Sequence, residues 1–147
     1  MKIFIGSDHG GYNLKSIIMD FLKENNYDFE DVGTYSTASC DYPQIAEAVS
    51  KKVLENSSKG ILVCGTGIGM SIAANKFKGI RAALCSDTFS ARMTREHNDS
   101  NILCLGERTV GAGLALDIVK IWLETEFSNG ERHANRIKLI KELEERV

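Results

Sequence analysis

Cys64 closes the apolar run Gly60 to Cys64 (GILVC) and is followed at once by Gly65-Thr66-Gly67-Ile68-Gly69-Met70-Ser71. Three glycines at alternate positions, at a strand-to-helix junction, let backbone N–H groups converge on an anion, and the following helix adds the positive end of its dipole. Such surroundings favour the thiolate form of a cysteine, which can serve as a base or a nucleophile. The position equally suits a small hydrophobe ending a strand, a description that fits Cys85 and Cys104 as well. A dinucleotide fingerprint is a competing reading of the loop, but GTGIGM lacks the third glycine, and no strand-end acid follows at the expected distance.

Three further groups have chemical potential. Asp8-His9 precedes two glycines that allow close backbone approach; a solvated loop pair is the plainer reading. His97-Asn98 ends a helical pattern containing Arg92 and Arg95, where a histidine also serves as a cap favoured by the dipole. Arg132 and Arg136, four apart, share a helix face beside His133. With a glycine-rich anion loop and no surplus of positive charge elsewhere, they read as a phosphate clamp.

Positioning these residues requires a scaffold, and the apolar pattern supplies one. Lys2 to Gly6, Asp28 to Val32, Gly60 to Cys64, Arg81 to Cys85 and Asn101 to Leu105 read as strands. Between them, Leu14, Ile17, Ile18, Phe21 and Leu22 mark one buried helix face, and Ile45, Val49 and Val53 a second, with Pro43 in its first turn. Phe89 to Glu96, Leu114 to Leu123 and Ile137 to Leu143 read as further helices. Alternating elements at this pitch predict an α/β fold: a doubly wound, Rossmann-like domain with a parallel sheet of about five strands flanked by helices. Ligands of such sheets bind beyond the carboxyl ends of the strands. The loops expected there carry Ser7 to Gly11, Gly65 to Gly69, Ser86-Asp87 and Gly106 to Arg108.

The 147 residues suit one domain, and a net charge of -2 removes the basic surface that nucleic-acid binding would need. The longest uncharged stretch, Gly60 to Asn75, is too short for a bilayer span of roughly 20 residues. The N-terminus reaches Asp8 and His9 before a signal-like apolar region forms, so no secretory signal and a cytoplasmic location are expected. Four cysteines, Cys40, Cys64, Cys85 and Cys104, show no CxxC pair and no zinc-like spacing with the histidines, so reduced thiols and no metal are expected.

GSDHGG near the N-terminus, DYP from Asp41, CGTGIGMSIAANK from Cys64, REHND from Arg95, LGERTVG from Leu105 and GERHANRI from Gly130 are, in this order and spacing, similar to ribose-5-phosphate isomerase type B. The wider family includes subunits of galactose-6-phosphate isomerase. The resemblance spans essentially the whole chain and implies one sugar-phosphate isomerase domain over 1–147, with a C-terminal helix over about 131–146 carrying phosphate-binding arginines. It implies a metal-free, cofactor-free aldose–ketose isomerase that interconverts ribose 5-phosphate and ribulose 5-phosphate through a cis-enediolate, within the non-oxidative pentose phosphate pathway. It also implies a homodimer with sites at the subunit interface, leaving further pairing into a tetramer open. A hexose-phosphate isomerase subunit and a non-catalytic phosphosugar-binding module are the alternatives; binding alone would require neither Cys64 nor His97.

Position by position, Cys64 matches the family's general base, His97 the acid that opens the furanose ring, and Thr66 a group near the ring oxygen. Gly65, Thr66, Gly67, Ile68 and Gly69, with Asn98, match the donors to the developing oxyanion, and Asp8 a residue that orients sugar hydroxyls. His9, Arg108, Arg132 and Arg136 match the phosphate ligands, some contributed by the neighbouring subunit. One branch of the family carries a glutamate base at the place of Met70, a role methionine cannot take. Glu131 stands where glycine is common, placing a carboxylate beside Arg132.

Overall fold

In the computed structural model, which describes residues 1–147, the first apolar run forms β1 (Lys2–Ser7), and a short 3-10 turn (His9–Gly11) leads into α1 (Tyr12–Glu24). There follow β2 (Asp28–Gly33), α2 (Tyr42–Asn56), β3 (Lys59–Cys64), α3 (Ile68–Ala74), β4 (Ala82–Leu84) and α4 (Thr88–Asn98). The chain ends with β5 (Ile102–Gly106), α5 (Ala112–Glu124) and α6 (Glu131–Glu145). Each strand expected from the apolar pattern is present. The fourth is trimmed to three residues at an open edge, and the fifth runs one residue further than its apolar run.

All five strands are parallel, in the order β2-β1-β3-β5-β4. Crossovers between parallel strands are right-handed, because a twisted strand feeds its helix back onto the sheet only that way. From β1 the chain steps outward to β2, returns past β1 to β3, moves on to β4 at the far edge, then turns inward to β5. Each reversal of direction sends the connecting helix to the opposite face. Accordingly α1, α4 and α5 cover one face and α2 and α3 the other.

Two cores follow from the twofold alternation of strand side chains. Ile3, Ile5, Ile61, Val63, Leu103 and Leu105 pack against Leu14, Ile18 and Leu22 of α1, Ala91 of α4, and Ala115, Ile118, Val119 and Trp122 of α5. Phe4, Leu62, Ile102 and Cys104 pack against Ala46, Val49 and Val53 of α2 and Met70 and Ala74 of α3. Full burial of each large aliphatic side chain contributes about 1.5–3 kcal/mol. Trp122 is sealed in the first core and donates its indole N–H to Ser100 Oγ at 3.0 Å. Helix ends are closed by local chemistry: Asp87 accepts from the Ser90 N–H at 2.6 Å to start α4, and Ser57 and Asp99 end α2 and α4 in the left-handed region.

Lys59 opens β3 with its ammonium 5.5 Å from the centre of the Trp122 ring. Burial, with the Arg95 guanidinium adding to it, pushes its pKa down to about 8 from 10.5. The folded chain therefore releases this proton first, and between about pH 8 and 10.5 the unfolded chain holds more protons, so stability rises with pH across that window. Below pH 8 the buried charge is carried in full. Lys59→Met is expected to raise the Tm at pH 7 by about 2–4 °C, or ~1 kcal/mol after allowance for solvent screening. The gain should shrink as pH passes 8 towards 10.5, checked by thermal unfolding of both chains across that range; a gain independent of pH would contradict it.

Candidate active site

The loops after β1, β3 and β5 meet at one edge of the sheet, bound to one another through backbone groups. Asp8 N–H donates to Val63 C=O at 3.2 Å, Glu107 N–H to Cys64 C=O at 2.9 Å, and Arg108 N–H to Gly65 C=O at 2.9 Å. Glycine is required where these loops touch: a Cβ on Gly11 would stand 2.5 Å from the Val63 carbonyl, and one on Gly106 2.5 Å from the Thr66 carbonyl carbon. Glu107 reaches across to accept from the Leu14 N–H at 2.7 Å, so the β5 loop caps the first turn of α1. The helices that follow β1 and β3 lie on opposite faces, which makes this the crevice where open α/β sheets hold their ligands.

Within it, Cys64 ends β3 with 5% of its surface exposed, and its Sγ accepts the Gly67 N–H at 3.0 Å. That donor is aimed at the atom that becomes negative when the thiol gives up its proton. Gly67 sits at φ +79°, and the Leu84 side chain and Leu105 backbone leave no room there for a Cβ. The other buried thiols have different surroundings. Burial, with Asp87 nearby, pushes Cys85 up to about 11, and burial pushes Cys104 higher still. Ile68 N–H turns to Thr66 Oγ1 at 3.3 Å, so two of the amides expected to face a ligand have acceptors inside the loop. The Tyr42 ring covers Gly69, where a Cβ would come within 2.7 Å of it, and Arg108 lies over Gly65.

Asp8 is buried rather than solvated: one carboxylate oxygen accepts from the Gly10 and Gly11 N–H groups at 2.9 and 3.1 Å. His9 Nδ1 accepts the Cys40 N–H at 3.2 Å. Met70 is fully buried among α2 and α3 side chains.

The remaining sequence-predicted residues lie at the opposite edge. Helix α4 runs from the carboxyl end of β4 to the amino end of β5, so His97 and Asn98 in its last turn fall beside the start of the strands. There Gly60 N–H bonds Asn101 C=O, and Arg81 Nε donates to Asn98 C=O at 2.8 Å. Ser128 bonds Glu96 C=O through both its N–H and its hydroxyl, which brings the start of α6 to the end of α4. The His97 and His133 rings stack at 4.1 Å and 11°. Desolvation, His97, Arg136 and Arg132 together hold the His133 imidazole below its ordinary pKa. Asn98 opens onto a cleft of about 550 Å³ shared with Asn75, Arg81, Ile140 and Leu143.

One chain therefore carries two groups. Asp8, His9, Cys64, Gly65 to Gly69 and Arg108 form the first; His97, Asn98, Arg132 and Arg136 form the second. Strand β3 runs between them, and at about 3.3 Å per residue its six residues hold the groups roughly 20 Å apart. Tyr42 and His133 join these groups without having been singled out, since a ring over a glycine or a ring on a ring leaves no periodic trace in sequence. No cluster of three or more His, Cys, Asp or Glu side chains is arranged to hold a metal ion.

The Ribose/Galactose Isomerase family model matches residues 3–140. Ribose-5-phosphate isomerase B of Escherichia coli (strain K12) is 46% identical over 146 residues, covering 99% of this chain and 97% of that protein. The structure of Clostridium thermocellum ribose-5-phosphate isomerase B superposes with a TM-score of 0.97 at 56% identity, covering 99% of each chain. That of Mycoplasma genitalium ribose-5-phosphate isomerase B with bound ribulose 5-phosphate superposes with a TM-score of 0.94 at 42% identity, covering 99% of this chain and 97% of the other.

The contrast among the thiols is directly measurable. Brief exposure to iodoacetamide at pH 8, with alkylation read peptide by peptide, is expected to label half-buried Cys40 and edge-facing Cys64 at least about tenfold faster than Cys85 and Cys104. Labelling of Cys85 or Cys104 ahead of Cys64 would contradict the assignment.

Proposed function

The chain belongs to the ribose/galactose isomerase family, and from that premise we propose that it is an aldose–ketose isomerase interconverting D-ribose 5-phosphate and D-ribulose 5-phosphate. The observation that carries the reading is the backbone N–H trained on Cys64 Sγ at the crevice, which neither of the other buried thiols has. A base at that place removes the C2 proton of an open-chain aldose.

The working unit is a homodimer that joins the loop edge of one chain to the α4–α6 edge of its partner. A two-fold axis repeats such a junction twice, so two chains give two whole sites. Unpaired apolar surface supports this. Ile68, Ile72, Leu84 and Phe89 are 51, 57, 41 and 65% exposed, and they lie on α3, β4 and the start of α4 around the open strand edge. Four free thiols accord with the cytoplasm as its compartment.

In this site the phosphate is held by His9 and Arg108 of one chain and by Arg132 and Arg136 of the partner subunit. Charge-assisted contacts of this kind contribute roughly 1.5–3 kcal/mol each. His97 of the partner subunit gives a proton to the ring oxygen and is reprotonated by the one released from the C1 hydroxyl, opening the furanose near Thr66. Asp8 keeps its second carboxylate oxygen for sugar hydroxyls. Cys64 then takes the proton from C2, and charge passes to the C1 oxygen of a cis-enediolate. Loop amides along Gly65 to Gly69 and Asn98 of the partner subunit stabilise that charge, while the Gly67 N–H supports the sulfur. The thiol returns the proton to C1 while the C2 hydroxyl proton passes to the C1 oxygen, leaving the carbonyl of the ketose at C2.

Complementation tests the division of the site. Cys64→Ala and Arg136→Ala should each be deficient as homodimers, by 10²- to 10⁴-fold for the first and about 10- to 100-fold for the second. After complete subunit exchange at equal ratio, half the dimers are hybrids with one intact site each, so about a quarter of wild-type activity should return. No recovery with exchange proven would place the site within one chain.

The two chemical steps separate by substrate. Erythrose 4-phosphate carries its phosphate on the hydroxyl that would close a furanose, so it presents an open aldehyde. His97→Asn is expected to lose about 10²-fold or more on ribose 5-phosphate while keeping most of its rate on erythrose 4-phosphate; Cys64→Ala should lose both. Equal losses of His97→Asn on the two sugars, measured as kcat/KM, would remove the ring-opening role.

A further inference from the structure

Lys15 takes no part in the proposed chemistry, yet its side chain is sealed from solvent on the first turns of α1. Its ammonium donates to Asp31 Oδ1 at 2.7 Å and to the Thr34 carbonyl, and the Tyr12 and Tyr35 rings stand 5.5 Å away. Asp31 Oδ1 also accepts the Gly33 N–H at 3.0 Å, and the Tyr35 hydroxyl donates to the Asp31 carbonyl at 3.2 Å. With the lysine sealed and Asp31 partly exposed, the ion pair adds little net stability, because desolvation of the buried charge offsets the attraction. Its geometric effect is specific: it allows one arrangement of the groups it joins.

Those groups begin the connection from β2 to α2. Thr34 is clamped twice, its carbonyl by Lys15 and its N–H by Ser7 C=O at 2.7 Å. Beyond it the chain runs exposed, Tyr35 at 71%, until Cys40 returns to the crevice and donates its N–H to His9 Nδ1. Tyr42, two residues on, lies over Gly69. The connection is thus pinned at Thr34 by the buried ammonium and at Cys40 by the imidazole. In accepting that hydrogen bond, Nδ1 of the neutral ring has no hydrogen, which places the ring's hydrogen on Nε2. His9 is thereby set as an Nε2–H donor.

We propose that Lys15 is a positioning residue for the phosphate subsite: by fixing Thr34 it delivers the Cys40 N–H to His9 and holds that imidazole in the tautomer that donates to a phosphate oxygen. This deepens the reading of His9 as a phosphate ligand and rests on it. Lys15 itself touches no substrate atom. Its effect travels through Asp31, Thr34 and Cys40.

The test uses the whole chain with Lys15→Met/Asp31→Asn, which removes both charges together and leaves an oxygen for the Gly33 N–H. Circular dichroism and sedimentation are to establish first that this variant folds and assembles as the wild type does. KM for ribose 5-phosphate and the inhibition constant of inorganic phosphate are expected to rise together by about tenfold, with kcat within about threefold of wild type. Nitrogen NMR of the imidazoles should show His9 fixed as the Nε2–H tautomer in the wild type and as a mixture in the variant. A merely structural lysine would move neither the KM-to-kcat split nor the tautomer. A folded variant with an unchanged phosphate constant overturns the proposal, and so does an unchanged His9 tautomer. Should the wild-type chain fail to isomerise ribose 5-phosphate, the functional reading falls by itself, and the His9 tautomer still decides the link to Lys15.

Discussion

The handedness of parallel crossovers governs this molecule. Because each reversal of direction along the sheet moves the connecting helix to the other face, the order β2-β1-β3-β5-β4 sends the loops after β1 and β3 in opposite directions and opens a crevice between them. Because β4 and β5 are parallel, α4 must run back along the sheet from the carboxyl end of one to the amino end of the other. Whatever its last turn carries must then lie at the far edge. The distribution of the candidate side chains between two edges is a result of topology, and neither cluster is a misplaced version of the other.

Chemical differentiation among similar groups follows from that frame. Cys64, Cys85 and Cys104 are all buried near the carboxyl halves of neighbouring strands. Burial alone disfavours a thiolate, as it does for Cys85 and Cys104. Cys64 differs by standing at the end of its strand, where the chain turns sharply through Gly67 and brings an N–H onto the sulfur. A glycine three residues downstream, in a conformation other residues rarely adopt, gives one thiol a hydrogen-bond donor that the other two lack.

The elements could be read from the sequence wherever a face is buried. The unbroken apolar runs in β1 and β3 are legible because both strands are central and buried on both faces, and Leu14, Ile18 and Leu22 repeat because they are the face by which α1 packs on the sheet. Strand β4 was expected to be longer, since Arg81 to Cys85 has strand-like residues; at an open edge only Ala82 to Leu84 pair with β5. The glycine loop and Asp8-His9 were legible as chemistry, because strand ends in a parallel sheet point to one edge. The far-edge position of His97, Asn98 and the arginines was not, since local spacing says nothing about strand order. Lys15 looks like an ordinary helix lysine beside Leu14, and its burial depends on Asp31 and Thr34 arriving from another element.

The sealed indole of Trp122 has a further consequence. It is the single tryptophan of the chain. Its N–H is held by Ser100, whose carbonyl accepts from Arg95 at 2.6 Å, and Arg95 also grips Asp99 next to Asn98. Arg95 and Lys59 both face the ring, at 5.9 and 5.5 Å from its centre. Tryptophan fluorescence from this protein thus originates at one place, the sealed pocket under the end of α4, and none of it comes from the glycine loops. With excitation at wavelengths too long for tyrosine to absorb, its emission is a native optical gauge of the far edge, with no dye or tag needed.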